Sequence, residues 1–433
     1  MSVLQSAVSA GKRIRSLARG RRARREIESR SELGRSLAPS SVQVVVYFAD
    51  KKVNLYQMRQ WYKPLAELAR HTQVAIVGRS AVATLTLMDE APVPVVYLRT
   101  TEDLESFLRE QDVRVALYVN QNARNFQMFR YGGISHVFIN HGESDKAYMR
   151  SNQHKAYDYA FIAGDAARER LADALWEYDV DARTFAIGRP QTDHLVNTPP
   201  FPDDGRTSVL YSPTWEGDRG SMGYGSVATH GVALSKALLA DPRFRLVYRP
   251  HPRSGIVDSG YARANREIIA AIARANSADP GAHHVYDEAA ELDWQLSATD
   301  VAITDVSAMV YDRLATGRPL LVTRPVDPLA DVDETGYLSA CEWLYADDAA
   351  NIISTIDRVQ NSDEARASLD YWVRRHFGDT SPGAATERFH AAIAELLARS
   401  DRDFAERPLE TRLVESDPFD QDEDEDAVPG EDA

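Results

Sequence analysis

Two histidines follow predicted β-strands at positions where their side chains can act on a phosphate ester. His141 begins the run His-Gly-Glu-Ser-Asp-Lys after an apolar segment, and His251 lies in Arg-Pro-His-Pro. An imidazole with a pKa of about 6.5 can take a proton from a hydroxyl group at neutral pH. We interpret His141 as a candidate general base whose ring is oriented by Glu143 or Asp145. A histidine at the end of a strand is more often structural, so His141 alone is not decisive.

Polar side chains also follow other predicted strands and are of types that bind anions. Arg249 and His251 are each followed by a proline that stiffens the backbone, so that a guanidinium fork and a cationic imidazole can hold a phosphate on which charge develops. Thr214 follows an apolar run, and Ser307 begins a predicted helix whose first N–H groups favour phosphate. The alternatives are a capped turn at Thr214 and an ordinary helix N-cap at Asp305 and Ser307.

Several motifs of cofactor and metal chemistry are missing from the sequence. The first strand is not followed by G-x-G-x-x-G, and neither G-x-x-x-x-G-K-[ST], C-x-x-C nor H-E-x-x-H occurs. The single cysteine, Cys341, excludes an intrachain disulfide. We therefore predict no metal site and no cofactor, and we interpret acid pairs such as Asp203 and Asp204 as solvated loop charges.

Alternating strand and helix patterns predict the elements that position these residues. Short apolar runs separated by helical patterns indicate parallel sheets covered by helices, and ligands of such sheets bind beyond the carboxyl ends of the strands. A proline-rich break at 198–202 divides the pattern into Rossmann-like domains at 41–197 and 203–399. The predicted strands are 42–49, 74–78, 93–98, 113–120, 135–140, 159–164, 208–212, 245–248, 283–286, 301–304 and 320–323. The predicted helices include 56–70, 103–111, 363–377 and 384–398, of which the last two are expected to finish the second domain and return to the first.

The two ends of the chain carry opposite charges, although the net charge is −15. Residues 1–25 contain eight Lys or Arg and no acid, and from Glu415 onward there are ten acids and no base. We predict that 1–40 is a basic amphipathic segment with a linker, and that residues 1–30 bind an anionic membrane surface. A frayed basic tail and a nucleic-acid arm are the alternatives, and the acidic remainder disfavours nucleic acid. Residues 400–433 are predicted to be a disordered acidic tail, with calcium or partner binding as an alternative.

The motifs together, in this order, resemble those of the CDP-glycerol:poly(glycerophosphate) glycerophosphotransferase family, which includes teichoic-acid polymerases and primases. The resemblance spans roughly residues 136–322. The runs at 141–146, 188–193 and 212–216 are similar to the family's H-G-T-P-x-K, G-x-P-R-x-D and A-P-T-W-R, and those at 249–252 and 304–308 to R-P-H-P and T-D-Y-S-S. The chain departs from these motifs at Gln191, Glu216 and Ala308, which leaves the identity of the donor open.

The resemblance implies a fold, a reaction and site residues. It implies a GT-B-like α/β fold with two Rossmann-like domains whose parallel sheets face an interdomain cleft. It also implies transfer of a polyol phosphate from a CDP-linked donor to a polyol-phosphate or lipid-linked acceptor, with release of CMP. His141 and His251 are then the catalytic residues, and Gly142, Gly188 and Pro190 are structural residues at the cleft. The predicted donor-binding residues are Lys146, Thr214, Arg249, Thr304, Asp305, Ser307 and Asp312.

Two other functions remain open at this stage. A GT-B glycosyltransferase that uses a nucleotide sugar would have the same cleft, and a non-catalytic module that binds the membrane periphery would explain the altered motif positions.

The absence of an export signal and of a membrane-spanning run predicts a cytoplasmic protein, peripheral on the inner face of the cell membrane.

Overall fold

The computed structural model describes residues 3–31, 37–143, 147–289, 292–332, 334 and 336–406. Ser144, Asp145 and Lys146, residues 32–36 of the predicted linker and most of the predicted acidic tail, 407–433, lie outside the described residues.

The first domain contains a sheet of seven strands in the order β3-β2-β1-β4-β5-β6-β7, and every neighbouring pair is parallel. Alternate residues of its inner strand Val44–Phe48 pack into two different hydrophobic cores, Val44 and Val46 on one face and Val45 and Tyr47 on the other. Strands covered on both faces need apolar residues at every position, which explains the continuous apolar runs. The strands are β1 Val44–Phe48, β2 Val74–Gly78, β3 Val95–Tyr97, β4 Val115–Tyr118, β5 Ser135–Phe138, β6 Tyr159–Ile162 and β7 Thr184–Ala186.

Seven α-helices belong to this part of the described chain. The predicted helix at 56–70 is in fact two α-helices, Leu55–Arg59 and Tyr62–Leu68, which are separated by Gln60 and Trp61. The helices are α1 Val3–Ser31, α2 Leu55–Arg59, α3 Tyr62–Leu68, α4 Ala81–Glu90, α5 Thr101–Glu110, α6 Asp165–Ala174 and α7 Val180–Arg183.

The second domain contains a sheet of six parallel strands in the order β10-β9-β8-β11-β12-β13. The predicted strand at 283–286 begins two residues late, because His283 adopts the left-handed conformation with φ of 51°. The strands are β8 Thr207–Ser212, β9 Phe244–Tyr248, β10 Val285–Tyr286, β11 Val301–Thr304, β12 Leu320–Thr323 and β13 Glu342–Leu344. The helices are α8 Val232–Ala240, α9 Ser259–Ala278, α10 Trp294–Ser297, α11 Ala308–Leu314, α12 Ile352–Asn361, α13 Asp363–Phe377 and α14 Ala384–Glu406.

The last helix, α14, packs against the first domain rather than the second. Phe389 and Ile393 are fully buried in the core that contains β1, and the Phe389 ring lies 5.4 Å from that of Trp61. Burying each such side chain contributes about 1.5–3 kcal/mol. Because α14 follows the second domain in sequence and packs on the first, it holds the two domains together. The range predicted for the second domain, 203–399, thus includes a helix that packs on the first.

The basic N-terminal segment forms helix α1, and its second half is docked on the first domain. Ala23 and Ile27 are buried against α4, and Arg30 pairs with Asp89 at the end of α4 at 2.6 Å. Among the described residues, no helix combines the length and the apolarity needed to cross a membrane.

Candidate active site

His141 lies in a tight turn directly after β5. Asn140 adopts the left-handed conformation with φ of 55°, which asparagine tolerates better than most residues, and its side-chain amide donates to the carbonyl oxygen of Gly142 at 2.5 Å. The indole N–H of Trp61 donates to the carbonyl oxygen of Asn140 at 2.5 Å. This turn bends the chain back over the carboxyl end of the sheet and fixes the position of the imidazole.

A backbone carbonyl sets the tautomer of His141. Its Nδ1 lies 3.0 Å from the carbonyl oxygen of Val119, which can only accept, so Nδ1 carries the hydrogen and Nε2 carries the lone pair of the neutral ring. Val119 follows β4, and Tyr56, in the helix that follows β1, packs edge-on against the imidazole at 5.9 Å. Strands β1 and β4 are neighbours where the strand order reverses, which is where open α/β sheets bind ligands.

The expectation that Glu143 orients His141 is wrong. The Glu143 carboxylate is buried and forms an ion pair with Arg170 of α6, while the Val119 carbonyl holds the ring. The other candidate for this role, Asp145, and the predicted donor-binding Lys146 lie outside the described residues.

An ion pair between the two domains lies beside His141. Arg189, after β7, contacts Asp312 of α11 through Nη2 and Oδ1 at 2.5 Å. Burial raises the pKa of Asp312, and the charges of Arg189 and His141 act against that rise. A Cβ built on Gly142 would lie 3.8 Å from Nη1 of Arg189, so the histidine turn and the guanidinium are adjacent. The candidate base therefore faces a helix of the second domain.

Gly188 and Pro190 hold the segment that carries Arg189. Gly188 has φ of 74°, and a Cβ there would lie 2.3 Å from Nη2 of Arg388, so this position requires glycine. Pro190 is buried and begins a single turn of 3₁₀ helix. The two residues thus shape the backbone on either side of Arg189.

His251 belongs to a second cluster, in the second domain. Its Nδ1 accepts from the backbone N–H of Arg253 at 3.1 Å, so the neutral ring carries its hydrogen on Nε2. Burial, and after it the charge of Arg253, lowers the pKa of His251 below its usual value. The expected cationic ring is therefore wrong for neutral pH, where His251 offers a neutral Nε2–H donor.

The sequence reasoning missed Glu216, which anchors the loop of His251. Its carboxylate accepts from the backbone N–H groups of Gly255, Val257 and Asp258 at 2.9, 2.7 and 3.0 Å. Burial alone would raise the pKa of Glu216, but these backbone donors lower it overall. The only sequence signal was its departure from the resembled motif, since an acidic residue stands where the family has arginine.

Arg249 is already engaged by protein groups. Its Nη1 lies 2.5 Å from Oδ2 of the buried Asp287, and its Nη2 donates to the carbonyl oxygen of Ala289 at 2.9 Å. These contacts fix the loop after β9 to the loop after β10. The predicted contact between the Arg249 fork and the donor phosphate would require exchange of these partners.

Thr304 and Asp305 are fully buried, which contradicts their prediction as donor ligands. The Asp305 carboxylate accepts from the N–H groups of Thr214 and Ser226 at 2.8 and 3.0 Å and from the Thr323 hydroxyl at 2.6 Å. Asp305 therefore ties together the loops at the carboxyl edge of the second sheet.

Thr214 and Ser307 remain where a ligand can reach them, because both are partly exposed. Thr214 follows β8, and Ser307 is the N-cap of α11, where its hydroxyl accepts from the N–H of Met309 at 3.3 Å. Strands β8 and β11 are neighbours where the order of the second sheet reverses. Among the described residues, no group of three His, Cys, Asp or Glu side chains is placed to hold a metal ion.

Comparison with known proteins yields one family and several solved structures. The family model for CDP-glycerol:poly(glycerophosphate) glycerophosphotransferase matches residues 135–395, which is more than half of the chain. No curated protein sequence matches the chain.

The similar solved structures confirm the predicted GT-B-like fold with two Rossmann-like domains. One is the wall teichoic acid polymerase TagF in a variant soaked with CDPG, at 14% identity and a TM-score of 0.53, covering 94% of this chain and 100% of that chain. Another is a putative UDP-N-acetylglucosamine 2-epimerase from Listeria monocytogenes, at 16% identity and a TM-score of 0.53, covering 84% of this chain and 98% of that chain. At such low identities these likenesses show the fold and nothing finer.

Proposed function

The chain belongs to the CDP-glycerol:poly(glycerophosphate) glycerophosphotransferase family, and we propose that it transfers a polyol phosphate from a CDP-linked donor such as CDP-glycerol to an acceptor hydroxyl. The proposed acceptor is a teichoic-acid or capsule-type polyol phosphate. The observation that carries the proposal is the orientation of His141, whose Nε2 lone pair is set by Val119 beside an interdomain ion pair.

In the proposed mechanism, Nε2 of His141 takes the proton of the acceptor hydroxyl. The acceptor oxygen attacks the β-phosphorus of the donor in line, the bond from that phosphorus to the bridging oxygen breaks, and CMP leaves with the bridging oxygen. The Nε2–H of His251 donates to the leaving phosphate, with the Thr214 and Ser307 hydroxyls as further donors. Positioning and charge stabilisation account for most of the catalysis of phosphoryl transfer, so no covalent intermediate is needed.

Selective donor binding is the first test of this proposal. We expect CDP-glycerol or CDP-ribitol to raise the unfolding temperature, because a ligand at about 100 times its Kd adds about 2.7 kcal/mol to the free energy of unfolding. The measurement is thermal unfolding with each CDP-polyol and, as matched controls, with UDP-glucose and UDP-N-acetylglucosamine. Stabilisation by a UDP-sugar and by neither CDP-polyol would instead indicate a nucleotide-sugar glycosyltransferase.

We also propose that the protein binds peripherally to the inner face of the cell membrane. The basic residues of α1 that precede Ala23 would hold it there. Because Ala23 and Ile27 dock α1 on α4, the basic residues before them can be changed without disturbing that contact. Each cation near an anionic leaflet contributes about 1 kcal/mol, so neutralising four should weaken liposome binding roughly 1000-fold.

The test replaces Lys12, Arg13, Arg15 and Arg19 with glutamine and measures sedimentation with phosphatidylserine liposomes. The matched control replaces four exposed cations of the second domain, Lys236, Arg263, Arg266 and Arg274. Equal binding by wild type and the α1 variant would rule out this mode of attachment.

A further inference from the structure

Asp312 reaches from the second domain to two side chains of the first. Its carboxylate pairs with Arg189 and lies close enough to His141 for their charges to interact. The side chains of Arg189 and Asp312 are only 9% and 14% exposed, so solvent screens their interaction weakly. A contact of this kind fixes the separation of two domains more strictly than an exposed pair does.

Helix α11 connects this contact to the proposed donor site. This helix begins after its N-cap Ser307 and carries Asp312 in its second turn. Its buried residues Val310 and Leu314 pack in the core of the second domain, so the helix does not move independently of its sheet. The position of Asp312 relative to His141 therefore sets how far the base lies from a donor bound at the start of α11.

We propose that Arg189 and Asp312 are a positioning pair that holds His141 against the donor-binding domain and stabilises the imidazolium formed when His141 takes the acceptor proton. Arg189 balances the Asp312 carboxylate while His141 is neutral, and the carboxylate then faces a second cation after proton transfer. This role replaces the predicted contact of Asp312 with the donor. It rests on the proposed function of His141 as the base.

The charge of Asp312 predicts the direction of a pH effect. A nearby carboxylate favours the protonated imidazole and so raises the pKa of a histidine. The base must be neutral to act, so the rate rises with pH through the His141 pKa. Removing the carboxylate should lower that pKa and move the rising limb of the rate profile to lower pH.

The experiment measures kcat and the donor KM against pH for the wild type and for Asp312→Asn. We expect kcat to fall about 100-fold through misplacement of the base, the donor KM to stay within about twofold, and the rising limb to move to lower pH. Arg189→Lys keeps the positive charge, so its kcat should lie between those of the wild type and Asp312→Asn. The rising limb of its rate profile should stay at the wild-type pH. A higher donor KM with an unmoved limb in Asp312→Asn would overturn the proposal and return Asp312 to donor binding.

The matched control is a second interdomain ion pair, between Lys63 and Asp293 at 2.9 Å. Asp293→Asn also breaks a contact between domains but leaves the surroundings of His141 unchanged, so its rising limb should coincide with that of the wild type. A limb that moves equally in Asp293→Asn and Asp312→Asn would attribute the shift to the loss of any interdomain contact and overturn the proposal.

A second measurement separates this proposal from the proposed function. The pKa of His141, followed by NMR of its ring in the full-length protein, should be lower in Asp312→Asn than in the wild type whether or not a donor is turned over. An unchanged His141 pKa would overturn the role of the pair even in an active enzyme.

If the wild type transfers no polyol phosphate from any CDP donor, the proposed function fails, and the NMR result still decides whether Asp312 acts on His141. If Asp312→Asn does not fold, Arg189→Lys decides, since an unchanged kcat there contradicts a positioning role.

Discussion

Replacing His141 with alanine is expected to lower the rate of polyol-phosphate transfer by at least about 100-fold and to leave the protein folded. A positioned general base contributes about 10²–10⁴-fold, and no other described side chain shares the oriented position that the Val119 carbonyl gives this ring. His141 is only partly buried, so its truncation does not open a large cavity in either core. The measurement is the initial rate of transfer, with the unfolding curve recorded on the same preparation.

His71 provides the matched control. It is exposed after α3 in the same domain and contacts only the ring of His390 among the described aromatic pairs. His71→Ala should therefore transfer at the wild-type rate. A folded His141→Ala protein with that same rate would remove His141 from the mechanism.

The largest effect on stability is expected at Asp305. Alanine there would leave three donors without their acceptor, the N–H groups of Thr214 and Ser226 and the Thr323 hydroxyl. Each unsatisfied buried donor costs about 1–3 kcal/mol, so the loss of an acceptor for three of them should lower the free energy of unfolding by about 3–9 kcal/mol. Urea denaturation of Asp305→Ala checks this value. Asp348→Ala, which removes an exposed acid of the same domain, should change it by less than about 0.5 kcal/mol.

The contribution of Asp305 should also depend on pH. Burial raises its pKa to about 6 in the folded protein, whereas an aspartate in the unfolded chain has a pKa of about 3.9. Between these values the folded state binds the extra proton, so the contribution of this residue to stability falls as pH rises from about 4 to about 6. The difference in unfolding free energy between wild type and Asp305→Asn should therefore be larger at pH 4 than at pH 7. A difference that grows with pH would contradict this origin.

The sequence predicted the inner strands well and missed two of the four edge strands. Central strands such as β1 and β11 are covered on both faces and consist of continuous apolar runs. The two missed strands, β7 and β13, lie at sheet edges, have three residues each and are only partly buried. Thr-Phe-Ala and Glu-Trp-Leu carry no continuous apolar pattern, so their pairing depends on neighbours that the sequence does not reveal.

The sequence placed the candidate histidines at strand ends but did not predict the contacts of several other residues. The rule that ligands bind beyond the carboxyl ends of parallel strands located His141 and His251 correctly at such ends. It does not distinguish an acid that faces a ligand from one that accepts backbone N–H groups, which is why Asp305 was misassigned. Arg189 and Glu216 were missed because their partners, Asp312 and the 255–258 turn, are distant in sequence and become neighbours only in the folded chain.

The identity of the released nucleotide tests the central claim most directly. The purified protein would be incubated with CDP-glycerol carrying a label in the glycerol and with a polyol-phosphate acceptor, and the products would be separated by anion-exchange chromatography. Attack at the β-phosphorus predicts CMP, formed in equal amount with labelled glycerol phosphate on the acceptor. Release of CDP with glycerol transferred free of phosphate would show attack at carbon and contradict the account.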